Sequence, residues 1–263
     1  MHESLERSDV MNGIGHALLS CVFVDVGDTL LPGSWASAPA VVRAPLDDLQ
    51  ATLPDLPPAT VVELNRTIVA CQAVNSRAAA KANSFAQDVD GVVGRALRQL
   101  GLPDDASRVA AVRRALNPPP DGHLAPFTGA VELLSRNKAL GLRCVAVSNA
   151  TFRDRHAYRR DFDAVGIGPY VDDVVSSVDV GFRKPHRAIF DAALAPAGCP
   201  PDHYAMIGNS KLKDIQPALA LGMRTILVCV TAPRPARSDA HAVVGALHEA
   251  ADVVARWTPP SVG

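Results

Sequence analysis

The run Leu18-Leu-Ser-Cys-Val-Phe-Val-Asp25 constrains this chain's fold more than any other stretch, because an almost wholly apolar, partly β-branched segment stops abruptly at a carboxylate. It is too short for a typical buried helix and suits a strand covered on both faces inside a parallel sheet. Similar runs occur at 142–147, 204–207 and 225–230, each after a stretch of helical periodicity. Strands alternating with helices imply right-handed crossovers and an open sheet with helices on both faces. The expected fold class is therefore α/β, with a Rossmann-like parallel sheet.

Between the first and second of these runs, residues 31–124 contain no comparable strand. Residues 59–82 and 85–100 place apolar side chains at three- and four-residue spacing, and 106–116 repeats the pattern after the turn Gly101-Leu102-Pro103-Asp104-Asp105. The triple proline at 118–120, followed by Asp121-Gly122, then breaks the chain. These features predict a smaller all-helical cap over 31–124, a catalytic core from 18–30 and 125–263, and a flexible leader over 1–17. In open α/β sheets ligands bind at the carboxyl ends of the strands, where such a cap would sit. Residues 242–257 carry an amphipathic pattern, with a last short strand expected at 252–254.

Charge narrows the range of partners. A formal net charge of -1 provides no field for nucleic acid or anionic lipid, and the longest apolar run near the start falls short of the roughly 20 residues a bilayer needs. It also lacks a basic leader and a small-residue cleavage site. The five cysteines stand singly, as expected of free thiols in a reducing cytoplasm, and no C-x-x-C pair suggests zinc. The expected location is cytoplasmic.

Four loops at or near predicted strand ends carry the chemistry. The first is Asp25-Val26-Gly27-Asp28-Thr29, the second Ser148-Asn149, the third Arg183-Lys184-Pro185, and the fourth Gly208-Asn209-Ser210 with Asp214 further on. Each has a plain structural reading on its own: a self-satisfying turn, a helix cap, a solvated lysine, an acid opposing a helix dipole. Together, in this order, they converge on one crevice.

In that order and spacing the sequence resembles the haloacid dehalogenase-like hydrolases, from about residue 18 to at least 230. Pro126-Phe127-Thr128-Gly129, Ile189-Phe190, Ala218 and Gly222-Met223 share the likeness. The resemblance implies a Mg2+-dependent hydrolase acting on a small phosphorylated molecule. Asp25 would attack phosphorus to form an aspartyl phosphate that water then cleaves. It also implies Asp25, the carbonyl of Gly27, Asn209 and Asp214 as the metal site, and Ser148, Asn149 and Lys184 as the phosphoryl site. The physical logic is that an anionic nucleophile approaches a phosphoester only where positive charge screens both.

The match departs from the family at Gly27, where family phosphatases usually carry a second Asp that serves as acid and base. Asp28, one place on, is the available substitute. Asn209 stands for the commoner Asp and keeps an oxygen ligand with one charge fewer. Two other readings stay open: a dehalogenase- or phosphonatase-like enzyme, and an impaired member that binds a phosphorylated ligand or a protein. Gly27 stands where dehalogenases place an aromatic residue, and a phosphonatase would need Lys81 as its Schiff-base lysine. Trp35, Arg77, Lys81 and His123 are the candidate cap contacts. Arg153, Arg155, His156, Arg159 and Arg160 form a basic stretch expected to be solvated.

Overall fold

The computed structural model describes residues 18–33, 46–82, 85–117, 119–120, 124–196 and 198–258. The expected leader, Trp35, His123 and most of the proline-rich break lie outside them.

Six parallel strands form one sheet in the order β3-β2-β1-β4-β5-β6. They are β1 (Cys21–Val24), β2 (Arg143–Ser148), β3 (Asp173–Ser176), β4 (Tyr204–Gly208), β5 (Arg224–Val228) and β6 (Ala242–Val244). The side chains alternate as the pleat requires. Val22, Val24, Cys144, Ala146, Ala205 and Ile207 pack on one face, beneath α5 (Ala130–Ala139), α6 (Arg155–Ala164) and α10 (Leu247–Trp257). Cys21, Phe23, Val145, Val147, Tyr204 and Met206 point the other way, under α8 (Arg187–Leu194) and α9 (Gln216–Ala220). Burial on both faces explains why the central strands are continuously apolar. It also pushes the Cys21 and Cys144 thiols up to about 12, leaving them as inert packing groups.

Four helices, α1 (Leu46–Thr52), α2 (Pro58–Lys81), α3 (Val89–Gln99) and α4 (Ala106–Ala115), pack around a core of their own. In α2 the buried Val61, Leu64, Ile68 and Cys71 recur at three- and four-residue spacing, and they meet Val89, Val92, Val93, Ala96 and Leu97 of α3. Phe152, from the loop after β2, is buried in this second core and ties it to the sheet. None of these helices is long and apolar enough to cross a membrane, nor is any other among the described residues.

Several expectations need correction. Residues 252–254 lie within α10, because Val253 and Val254 join Leu247, Ala250 and Ala251 on its buried face; the last strand is β6, ten residues earlier. The helix expected from 85 begins only at Val89, where the Asp88 carboxylate caps it by accepting from Gly91 N at 2.8 Å. Residues 85–87 are not helical and pair with 181–183 in antiparallel fashion: Ala86 bridges Phe182, Gln87 N donates to Gly181 O at 2.7 Å and Arg183 N to Phe85 O at 2.9 Å. The basic stretch is only partly solvated. Arg153 is buried against Asp161 at 3.0 Å, and Arg159 donates to the carbonyls of Val171 and Asp172, whereas Arg155 and His156 are exposed.

Candidate active site

The chain direction across the sheet reverses between β1 and β4, and the loops leaving these neighbouring strands open a crevice. Asp25 follows β1 directly, and its amide still pairs with Ile207 O at 2.9 Å, so the first turn of the loop is anchored to the sheet. Its two carboxylate oxygens have separate partners. Oδ1 accepts from Lys184 Nζ at 2.6 Å and Oδ2 from the buried Thr29 hydroxyl at 3.0 Å.

Lys184 reaches the crevice by a different route from that expected. It does not follow a strand directly: after β3 come the single turn α7 (Ser177–Val180) and the stretch paired with 85–87. The Asn149 side chain brackets its backbone, accepting from Lys184 N at 2.7 Å and donating to Lys184 O at 3.0 Å. The peptide to Pro185 is cis. Only 2 % exposed, the ammonium donates to Asp25 Oδ1 and to Val147 O at 2.7 Å, and lies 2.8 Å from Asp214 Oδ1. Burial alone would lower its pKa, but the carboxylates of Asp214 and Asp25 outweigh that and raise it, so the lysine is held cationic.

Asp214 sits in a π-turn, Lys211–Ile215, and accepts from Ser210 N at 2.9 Å. Burial pushes its carboxyl up to about 6; the nearby Asp25 charge adds to this and Lys184 opposes it. Gly208 makes room for that carboxylate, since a Cβ there would lie 2.5 Å from it. Here the requirement for glycine is one of space.

A cavity of about 790 Å³ opens above these groups, lined among others by Asp25, Gly27, Asp28, Asn149, Lys184, Asn209 and Asp214. Ser148 is not on its wall. It is 1 % exposed, and its hydroxyl shares a 2.7 Å hydrogen bond with Tyr158. Asp28 reaches the wall in a left-handed conformation (φ 58°), with Oδ1 accepting from Gly33 N at 2.7 Å, so part of its carboxylate is spent on closing the loop. Arg77 and Lys81 are exposed on α2, and neither is on the wall.

Sequence reasoning missed the partners that hold the site. Thr29 fixes Asp25, and Tyr158 engages Ser148. Gln87 donates to the carbonyls of Ala150 and Thr151 at 2.7 and 2.9 Å and accepts from Arg183 Nε at 3.1 Å. The Thr29 role was visible as the end of the Asp-led loop. The Gln87–Arg183 pair spans 96 positions, and no local pattern could have shown it.

The model of the haloacid dehalogenase-like hydrolases matches residues 19–222, which takes in every loop described above. The chain belongs to this family. Among curated relatives, the glyceraldehyde 3-phosphate phosphatase of Methanothermobacter thermautotrophicus is 38% identical over 106 residues, covering 40% of this chain and 45% of that protein. The phosphoglycolate phosphatase of Pectobacterium atrosepticum is 25% identical over 189 residues, covering 70% and 79% respectively. The chain spans about half the length of the glyceraldehyde 3-phosphate phosphatases it matches. Among solved structures, a 2-haloacid dehalogenase from Pseudomonas syringae pv. tomato superposes with TM-score 0.61 at 20% identity, covering 91% of this chain and all of that one. The magnesium-bound HAD-hydrolase YfnB of Bacillus subtilis superposes with TM-score 0.53 at 21% identity, covering 90% and 99%. At such identities the likeness concerns the fold, which is Rossmann-like α/β.

Proposed function

We propose that this chain is a Mg2+-dependent phosphatase of a small phosphorylated metabolite, working through an aspartyl phosphate on Asp25. One observation carries the reading: a buried ammonium lies 2.6 Å from one carboxylate and 2.8 Å from a second, at the floor of a cavity at the strand ends. Two anions and a single cation leave the floor net negative, a poor seat for a phosphoester unless further positive charge joins it. The donors there are all oxygen (Asp25, Asp214, the Gly27 carbonyl, the Asn209 amide), and they fit magnesium, which takes few protein ligands and keeps several waters. When bound, the metal would supply charge neutralisation across the phosphoryl oxygens.

The chain's own residues supply the rest. Thr29 and Lys184 fix the Asp25 carboxylate for in-line attack, which forms the phosphorus–oxygen bond to Asp25 as the bond to the leaving oxygen breaks. Asn149 fixes the lysine backbone, so the ammonium that stabilises the phosphoryl group is preorganised. Asn149, on the cavity wall, completes the proposed phosphoryl site, while Ser148, off the wall and bonded to Tyr158, supports the loop that carries it, and helices α1–α4, within residues 31–124, act as a cap limiting water. The names of the relatives support a phosphorylated small-molecule substrate.

A second reading rests on Asp28. With its carboxylate engaged by Gly33 N and no Asp at position 27, the site lacks a free acid in that loop, which favours a slow enzyme or a phospho-ligand binder. A panel of phosphorylated metabolites assayed with and without Mg2+ separates the readings, with Asp25→Asn as the control. Metal-dependent phosphate release that Asp25→Asn abolishes is expected; release surviving in that variant rejects the mechanism.

A further inference from the structure

We infer that Arg183 is a specificity residue that selects substrates carrying a second anionic group, a carboxylate or a second phosphate, beside the phosphoryl group that is cleaved. The inference rests on the phosphatase reading only for the identity of the first group. Arg183 is adjacent to Lys184 and lines the same cavity. It also lines a second, smaller cavity of about 200 Å³ between α2 and the loop after β2, so Arg183, like Thr151, belongs to the walls of both.

The guanidinium is held but not neutralised. Nε donates to Gln87 Oε1 at 3.1 Å and Nη2 to Ala150 O at 2.9 Å, both uncharged acceptors. None of the ion pairs among the described residues includes it, and burial works against its charge, lowering its pKa with only Tyr158 opposing. Elsewhere in this protein a buried arginine is paired: Arg153 has Asp161 at 3.0 Å. A partly buried cation without an anion is costly unless a ligand brings one. The two anchoring bonds set the plane of the fork and leave the Nη1 donors and one on Nη2 for an oxyanion, the geometry in which arginine binds carboxylate or phosphate.

A second feature makes room for the ligand's remainder. In the smaller cavity Gln72 is 8 % exposed, its amide nitrogen lies 3.3 Å from Ser76 Oγ, and its Oε1 has no partner. Gln72 lines the same small cavity as Arg183, and its buried acceptor is one that a side-chain rotation would offer to a hydroxyl on the substrate.

The test compares kcat/KM of the full chain, with Mg2+, for three phosphate esters built on the same two-carbon unit: 2-phosphoglycolate, 2-hydroxyethyl phosphate and ethylene glycol bisphosphate. Wild type is expected to prefer one or both of the first and third over the neutral second by about 10–100-fold, the range of a charged hydrogen-bonded contact, and the arm preferred names the anion. Arg183→Gln should compress that ratio mainly through KM, and Arg183→Lys should restore part of it. Equal kcat/KM for charged and neutral esters in wild type overturns the inference, whether or not the variants fold. So does a ratio unchanged in a folded Arg183→Gln. Should none of the three turn over, calorimetry of phosphonoacetate against ethylphosphonate decides for Arg183: tighter binding of phosphonoacetate, which adds a carboxylate, upholds it and equal binding ends it, while the phosphatase reading stands or falls with the metabolite panel.

Discussion

Gly27 and Gly208 flank the same crevice and answer substitution in opposite ways. A Cβ at Gly27 would meet only the Cα of Gly33 at 3.6 Å, an ordinary contact, so a larger side chain fits at the start of the loop. Gly27→Asp is therefore expected to fold and, if an acid is what the site lacks, to raise kcat on an accepted phosphomonoester by about 10²–10⁴-fold. A fall in kcat would mean that Asp28 already donates the proton and that the new carboxylate only repels the substrate. At Gly208 the Cβ collides with the Asp214 carboxylate at 2.5 Å. Gly208→Ala should displace that group, lowering both turnover and the gain in melting temperature produced by Mg2+, at an overpacking cost of about 1–3 kcal/mol. A variant with native melting temperature and native metal response would show that Asp214 tolerates the shift. Asp25 and Asp214 were legible in the sequence because each follows a recognisable strand, and Lys184 because it precedes a proline. Ser148 was legible as a residue but not in its setting, since the Tyr158 hydroxyl that engages it comes from a different helix.

Elements are legible to the degree that burial dictates them. β1, β2, β4 and β5 announce themselves because both faces are covered. The edge strands β3 and β6 do not, because β6 is short and β3 opens on Asp173 and closes on Ser176. What fixes β3 in place is a side chain before it. Asp172 accepts from Cys144 N and from Lys138 Nζ, both at 2.7 Å, while its own amide pairs with Cys144 O at 2.8 Å. Burial would raise the Asp172 pKa, but Lys138 and the Cys144 amide prevail and hold it below the ordinary carboxylate value. A depressed pKa stabilises the fold above the unfolded-state value, and the benefit disappears as pH falls through the native one. Melting temperature followed against pH should therefore drop more steeply on the acid side in wild type than in Asp172→Asn; parallel curves would show that the carboxylate adds nothing. In the helical layer, Leu97 is fully buried between α2 and α4, and Leu97→Ala should cost about 2–5 kcal/mol by denaturant unfolding.

At the scale of the whole molecule, two hydrophobic cores meet through few points, and Phe152 is one of them. Val178, packed against both cores, is another, and a further link is the main-chain pairing of 85–87 with 181–183, reinforced by Gln87. The alternation of strands and helices in the sequence foretold the sheet, but contacts between residues so distant along the chain left no trace in it. Their placement has a mechanical meaning. The segment leading into α3 is stitched, backbone to backbone, to the very loop that carries Lys184. If the proposed cap swings to admit or release a guest, it must either tear those stitches or drag that loop along, and admission and charge alignment are then timed together. Amide hydrogens of Gln87 and Arg183 should then exchange together, and slow in concert once a phosphate mimic is trapped inside.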